Sequence, residues 1–308
     1  MTARLPVISS GDLTATINPL GAELWSLCDD AGRELMTDAD PRWWTGRAPI
    51  LFPFVGRCSD DRYRLNGHEY PMPQHGFARR KPFALLEHSE TRAALRLEAD
   101  AETRLVYPFE FSLEIVFDLD GGRLTISARV ANEGDTAMPF SFGFHPAFAW
   151  PLPYGAAASN HRILFDRPEP SPLRTVDRAT GLIAADTRPS PVDGDMLVPT
   201  YGMFDGDALI WDKLDSRSLL WGAPGSPNLR IAFPDTSWLG IWQKPGARYL
   251  CIEPWAGMAD PVDFSGEVWD KPGILRLPPE GIRSFHLSVS LEGCALASCC
   301  GPRRPMAE

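Results

Sequence analysis

The stretch Phe111-Ser-Leu-Glu-Ile-Val-Phe-Asp-Leu119, followed by Asp120-Gly121-Gly122 and Arg123-Leu-Thr-Ile-Ser-Ala-Arg-Val130, decides the fold class. Phe111, Leu113, Ile115, Phe117 and Leu119 recur at every second position, as do Leu124, Ile126, Ala128 and Val130. Successive side chains of a strand point to opposite faces, so each run presents one apolar face. Arg123, Thr125, Ser127 and Arg129 fall on the other face. The Asp-Gly-Gly joint supplies residues that tolerate the backbone of a tight turn. The stretch predicts a β-hairpin with one buried face.

Runs of the same kind recur outward from it, at 13–17, 23–28, 83–88, 93–98, 229–233, 239–242, 250–253 and 284–291. Asn66-Gly67, between Arg64 and Tyr70, marks a second tight hairpin. No twelve residues free of Pro and Gly carry a 3.6-residue period. Thirty prolines among 308 residues are about twice the usual share, and proline interrupts helix interiors and central strands alike. Short strands with turn signals between them predict an all-β fold, a large antiparallel β-sandwich. Without βαβ alternation, Rossmann and TIM-barrel architectures are excluded. We expect one domain over residues 1–291. Residues 151–199, rich in Pro, Asp and Ala, are expected to run over the surface as a long excursion. Residues 292–308 are expected to be a poorly ordered tail.

Thirty basic against forty acidic residues leave a net charge of −10, which repels phosphate backbones and argues against nucleic acid as a partner. The nearly apolar run 48–56 is far short of the roughly 18 residues of a membrane span. The N-terminus lacks the apolar segment of a secretion signal. Six cysteines, three of them crowded at 294, 299 and 300, do not make a disulfide scaffold. The expectation is a reduced, cytoplasmic, soluble protein with no membrane partner, its oligomeric state open between monomer and homodimer.

The motifs G-x-G-x-x-G, Walker A, H-E-x-x-H and G-x-S-x-G are absent, as is His-x-His. No metal and no organic cofactor is expected. Polar residues instead stand inside aromatic segments punctuated by Gly and Pro: 47–57, Gln74-His75-Gly76-Phe77-Ala78-Arg79, Gly143-Phe144-His145-Pro146, 241–245 and Cys251-Ile252-Glu253-Pro254-Trp255. Residues that stop regular elements place these groups at strand ends. Glu253 follows apolar strand and precedes Pro and Trp, where a carboxylate is either paired or functional. His75 and His145, each taken alone, also read as ordinary turn or core histidines. Trp242 and Trp255 read either as core or as the apolar wall of a sugar site.

Taken in order, Asn18-Pro-Leu-Gly21-Ala-Glu-Leu-Trp25, Pro49-Ile-Leu-Phe-Pro53, His75-Gly-Phe-Ala-Arg79, Gly143-Phe-His-Pro146, Asp207-Ala-Leu-Ile210 and Glu253-Pro-Trp255 resemble the aldose 1-epimerase (galactose mutarotase-like) superfamily, in its shorter bacterial branch. The resemblance fades after about residue 291. It implies a single large antiparallel β-sandwich with a cleft on one face, and an isomerase that interconverts the α and β anomers of a small-molecule sugar. It implies Glu253 as general base at the anomeric hydroxyl, His145 as general acid at the ring oxygen, and His75 beside them. Arg79, Arg57 and Asp207 are then expected to bind hydroxyls, with Asp205 an alternative to Asp207, and Trp242 and Trp255 to form the apolar wall. The base should keep a near-normal pKa, and the acid histidine should be raised by the carboxylate. The longer galactose mutarotases carry Asn-Arg-Ile where this chain has Cys58-Ser-Asp-Asp-Arg-Tyr63, so the resemblance does not carry their sugar-binding arginine, or galactose as the substrate, over to this chain.

Three other readings compete. A hexose-6-phosphate mutarotase would gather Arg47, Arg57 and Arg79 around a phosphate. A non-catalytic carbohydrate-binding protein would have no use for an acid–base pair. A glycosidase needs two carboxylates about the bond, and beyond Glu253 only Asp260 and Asp263 lie nearby in sequence.

Overall fold

A computed structural model describes residues 5–293 and residue 296. The hairpin that decided the fold class is present: strands Phe111–Asp120 and Arg123–Asn132 pair antiparallel across the Gly121-Gly122 turn. They lie within a nine-stranded sheet, beside Ile282–Glu292 on one flank and Arg92–Glu98 on the other. A second, eight-stranded sheet runs from Leu182–Arg188 through Leu173–Asp177, Leu209–Trp211, Trp238–Trp242 and Tyr249–Ala256 to Phe142–Phe144 and Ile50–Leu51. Ala147–Ala149 also pairs with Tyr249–Ala256. The single α-helix among the described residues, Ala101–Val106, is closed at its start by a capping box between Asp100 and Thr103. No helix among the described residues is long and apolar enough to cross a membrane.

One continuous apolar core joins the two large sheets. It takes Leu113, Ile115, Leu124 and Ile126 from one, and Leu239, Ile241, Leu250 and Ile252 from the other. Phe142 stacks on Phe285 across the junction at a centroid distance of 4.7 Å. The strand Tyr249–Ala256 explains why its apolar run is unbroken. Leu250 and Ile252 enter the core, while Tyr249, Cys251, Glu253 and Trp255 turn to the opposite face and are buried there as well. That opposite face carries the cleft.

The segment 151–199 is more than a surface excursion. Arg162–Phe165 and Met196–Leu197 complete one margin of the nine-stranded sheet, and Leu173–Asp177 with Leu182–Arg188 form one margin of the eight-stranded sheet. Proline is tolerated at strand ends and sheet margins, so a Pro-rich composition is compatible with short edge strands. The expected tail has its start in the Ile282–Glu292 strand. The rest of it, with Cys294, Cys299 and Cys300, lies outside the described residues apart from Gly293 and Leu296.

Candidate active site

The ladder between the 142–149 segment and Tyr249–Ala256 sets the site. Gly143 pairs with Trp255 and Ala147 with Cys251. Continuing that register places His145 opposite Glu253, where the ladder is interrupted before Pro146. Directly opposed residues share a face and bring their Cβ atoms within about 4.5–5.5 Å. Accordingly His145 Nε2 lies 3.1 Å from Glu253 Oε2, with the side chains only 9% and 3% exposed.

Glycines make room for Trp255. A Cβ on Gly143 would stand 2.6 Å from Cδ1 of the indole, and one on Gly240, the cross-strand partner of Glu253, 2.6 Å from Cη2. Glycine at both positions leaves the indole the space it occupies. Such contacts are too short for any real side chain.

His75 comes from a loop in a left-handed conformation, φ 65°, followed by Gly76 at φ 70°. A Cβ at Gly76 would collide with the Phe52 carbonyl oxygen at 2.1 Å, so this pair of residues turns only with glycine second. The Gly56 amide donates to His75 Nδ1 at 3.1 Å, which leaves Nε2 to carry the proton of the neutral ring. The His75 and His145 rings meet edge to face at 5.7 Å.

These residues line a cavity of about 290 Å³ together with Trp44, Gln74, Arg79, Asp207, Trp242 and Trp255. Val176, Ile183 and Ile210 form an apolar side. Arg79 donates to the Gln74 carbonyl at 2.7 Å, and burial lowers its pKa to about 10. Asp207 sits at φ 87° and accepts from the Ala208 amide. Asp205 does not line the cavity. The Trp44 ring lies tilted by 34° at 5.0 Å from the His145 ring and packs against Trp242 and Tyr249. Sequence reading missed Trp44 and the three aliphatic residues. The Trp43-Trp44 doublet between Pro41 and Gly46 was the available signal for the first.

Two expectations need correction. Arg57 does not line the cavity: it grips Asp61 at 2.8 Å and the Thr180 carbonyl at 3.1 Å. Arg47 is likewise spent on the Thr37 and Asp38 carbonyls and on the face of Trp25. A three-arginine phosphate cradle is therefore not assembled, and Arg79 is the one cation among the described lining residues. Second, burial outweighs the mutual attraction expected to govern the pair. The Glu253 carboxyl is pushed well above its ordinary range, chiefly by burial and further by the Asp207 carboxylate. The His145 imidazole is pushed down to about 3, chiefly by burial, with the Arg79 charge adding to it. Burial thus favours the uncharged form of each partner. His75 is also held well below its ordinary value, by burial and then by His145.

Asp260 is not a free loop carboxylate. It is buried in an ion pair with Lys271, accepts from the Ser59 amide at 2.8 Å, and binds the Arg57 carbonyl and the Ile183 amide through its own backbone. It thus ties together three segments behind Gly56, Ile183 and Ala259 of the cavity wall.

Two packed antiparallel sheets with an acid and a base in a tryptophan-walled cleft place the chain among the galactose mutarotase-like folds. A galactose mutarotase related enzyme from Lactobacillus acidophilus matches 94% of this chain and 97% of its own, with 28% identity and a TM-score of 0.87. A galactose mutarotase-like protein from Lactobacillus casei matches 94% of this chain and all of its own, again at 28% identity and a TM-score of 0.87. The family described as aldose 1-epimerase matches residues 5–276, and the chain belongs to it. Protein LacX, encoded on a plasmid of Lactococcus lactis subsp. lactis, is 31% identical over 276 residues, which cover 87% of this chain and 92% of LacX.

Proposed function

We propose that the protein is an aldose 1-epimerase acting on an unphosphorylated monosaccharide. The observation that carries this reading is the 3.1 Å approach of His145 Nε2 to Glu253 Oε2 in the cavity. Ring opening of a hemiacetal requires a proton to leave the anomeric hydroxyl and another to reach the ring oxygen. One donor and one acceptor that share a single proton meet that need, each contributing about 10²–10⁴ in rate.

Burial favours the form in which Glu253 holds that proton. Moving it across the contact gives a carboxylate and an imidazolium with no change of net charge. From that form Glu253 takes the anomeric proton while His145 protonates the ring oxygen. The aldehyde turns about C1–C2, and the same groups exchange roles as the ring closes. Nothing among the described residues bonds to His145 Nδ1, so no partner locks the ring into one tautomer. In this reading His75, through Nε2–H, and Arg79 hold sugar oxygens. Trp44, Trp242 and Trp255 supply apolar surface for the C–H face of a pyranose.

The cavity size suits one monosaccharide, at the small end of the roughly 300–1,000 Å³ of ligand sites. A single lining arginine favours a neutral sugar over a phosphorylated one. Asp260, neutralised by Lys271, is not available as a second glycosidase carboxylate. Anomer exchange followed by NMR on a panel of aldoses and their 6-phosphates tests the reading, with Glu253→Gln alongside. Acceleration on a free aldose that the variant loses supports it. Sugar binding without exchange on any member overturns it in favour of a binding protein, and exchange on the phosphates alone overturns the substrate class.

A further inference from the structure

We propose that His145, Cys251 and Glu253 form a three-ligand site for a zinc-like divalent cation, and that its occupation switches off the acid–base pair. The Cys251 Sγ, a ring nitrogen of His145 and a carboxylate oxygen of Glu253 all lie within 4.8 Å of one another. The backbone imposes this grouping. Cys251 and Glu253 are two residues apart on one strand and so share a face, and His145 projects from the paired segment toward both.

The three atoms are an imidazole nitrogen, a sulfur and a carboxylate oxygen, the set zinc takes in proteins. Bonds of about 2.0–2.3 Å to a tetrahedral ion put donors roughly 3.5 Å apart. Closing from 4.8 Å therefore asks for about an ångström of side-chain movement. His145 and Glu253 line the cavity and are met first by an ion arriving from solvent. Cys251 lies behind them, fully buried beside Ala147, Ala247 and Tyr249. The fourth position faces the cavity and takes water.

Charge makes the site more tolerant of such an ion than of a lone charge. A divalent cation bound by thiolate, carboxylate and neutral imidazole has no net charge, and the two protons displaced from Cys251 and Glu253 pass to solvent. An isolated charge in the same apolar surroundings is costly. From the sequence, no metal is expected. Cys251 was hidden in what looked like uninterrupted core.

The site itself is independent of the proposed reaction, whereas the inhibitory consequence rests on it. Co²⁺ titrated into the full-length protein should bind with a thiolate-to-cobalt absorption in the near ultraviolet, and Zn²⁺ should displace it. Cys251→Ser should lose this band and bind Zn²⁺ about tenfold or more weaker. Cys251→Ala, checked for folding by its thermal transition, guards against a disrupted serine variant. No band in the wild type, or the same band in Cys251→Ser, overturns the site and in the second case points to another thiol. Zn²⁺ at concentrations that saturate the site should then suppress anomer exchange in the wild type and spare Cys251→Ser. Saturation without suppression overturns the switch. A band that behaves as expected in a protein without exchange on any sugar leaves the metal site standing and removes the epimerase reading.

Discussion

His145 Nε2 and Glu253 Oε2 are 3.1 Å apart, on residues that an interrupted antiparallel ladder sets directly opposite each other. The separation follows from strand register, so each partner can be removed without moving the other. Glu253→Gln and His145→Gln are each expected to slow anomer exchange by about 10²–10⁴. The double variant should be little slower than the worse single one, because the two act as a unit. Strictly multiplicative losses would show that they act separately.

The pH dependence of stability should carry two opposite signatures. His145 titrates near 6.5 in an unfolded chain and at about 3 when folded, so the unfolded state takes up its proton first on acidification. Stability should fall as pH drops from about 6.5 toward 3, by on the order of a few kcal/mol. Glu253 is raised on folding, so its unfolded carboxyl ionises first, and stability should fall as pH rises above its ordinary 4.5. Urea titrations across this range should show His145→Gln flattening the first limb and Glu253→Gln the second.

Neither His145 nor His75 should contribute an inflection at the ordinary histidine value of 6.5, since both are held below it. A kcat/KM break there that His145→Gln or His75→Gln removes would mean that a solvated imidazole governs catalysis, whereas a break that both variants keep would belong to the raised Glu253 carboxyl.

Gly240→Ala should push the Trp255 indole out of place and cost about 1–3 kcal/mol by overpacking. Combining it with Trp255→Leu should recover part of that loss, a coupling that a double-mutant cycle measures. KM for the sugar should rise in Gly240→Ala if the indole forms part of the sugar wall.

Lys271→Met leaves the Asp260 carboxylate buried without its cation and should cost about 3–5 kcal/mol in chemical denaturation. Adding Asp260→Asn should restore a good part. Arg57→Ala removes a half-exposed pair with Asp61 and an exposed hydrogen bond to the Thr180 carbonyl, and should change stability by no more than about 1 kcal/mol. It should leave KM nearly unchanged, in contrast to Arg79→Gln.

The strands were legible wherever one face met the core and the other met water, as in Arg123–Asn132, because burial then writes itself as alternation. Glu253, His145, His75, Arg79, Asp207, Trp242 and Trp255 could be singled out because each stands beside a Gly, a Pro or an aromatic residue, or within a segment of the family resemblance; all seven line the cavity. Val176 and Ile183 could not, since they belong to short margin strands inside a Pro-rich segment where alternation is too brief to see. Arg57 misled because a guanidinium near a glycine looks free until its partners Asp61 and Thr180 are placed. The pKa directions also escaped: a sequence names the neighbours of a carboxylate but not the water it has lost.

In the strand Tyr249–Ala256 the even-numbered Leu250 and Ile252 hold the sheets together, and the odd-numbered Glu253 and Trp255 face the cleft with Cys251 buried on the same side. A one-residue deletion or insertion ahead of Glu253 would exchange the two sets, burying the carboxylate between sheets and turning Ile252 to the sugar. Point changes can tune this site, but frame shifts along the strand cannot be survived in part. An insertion here keeps both the architecture and the chemistry only where a bulge absorbs the extra residue, so libraries meant to reshape the cleft should vary loop lengths elsewhere.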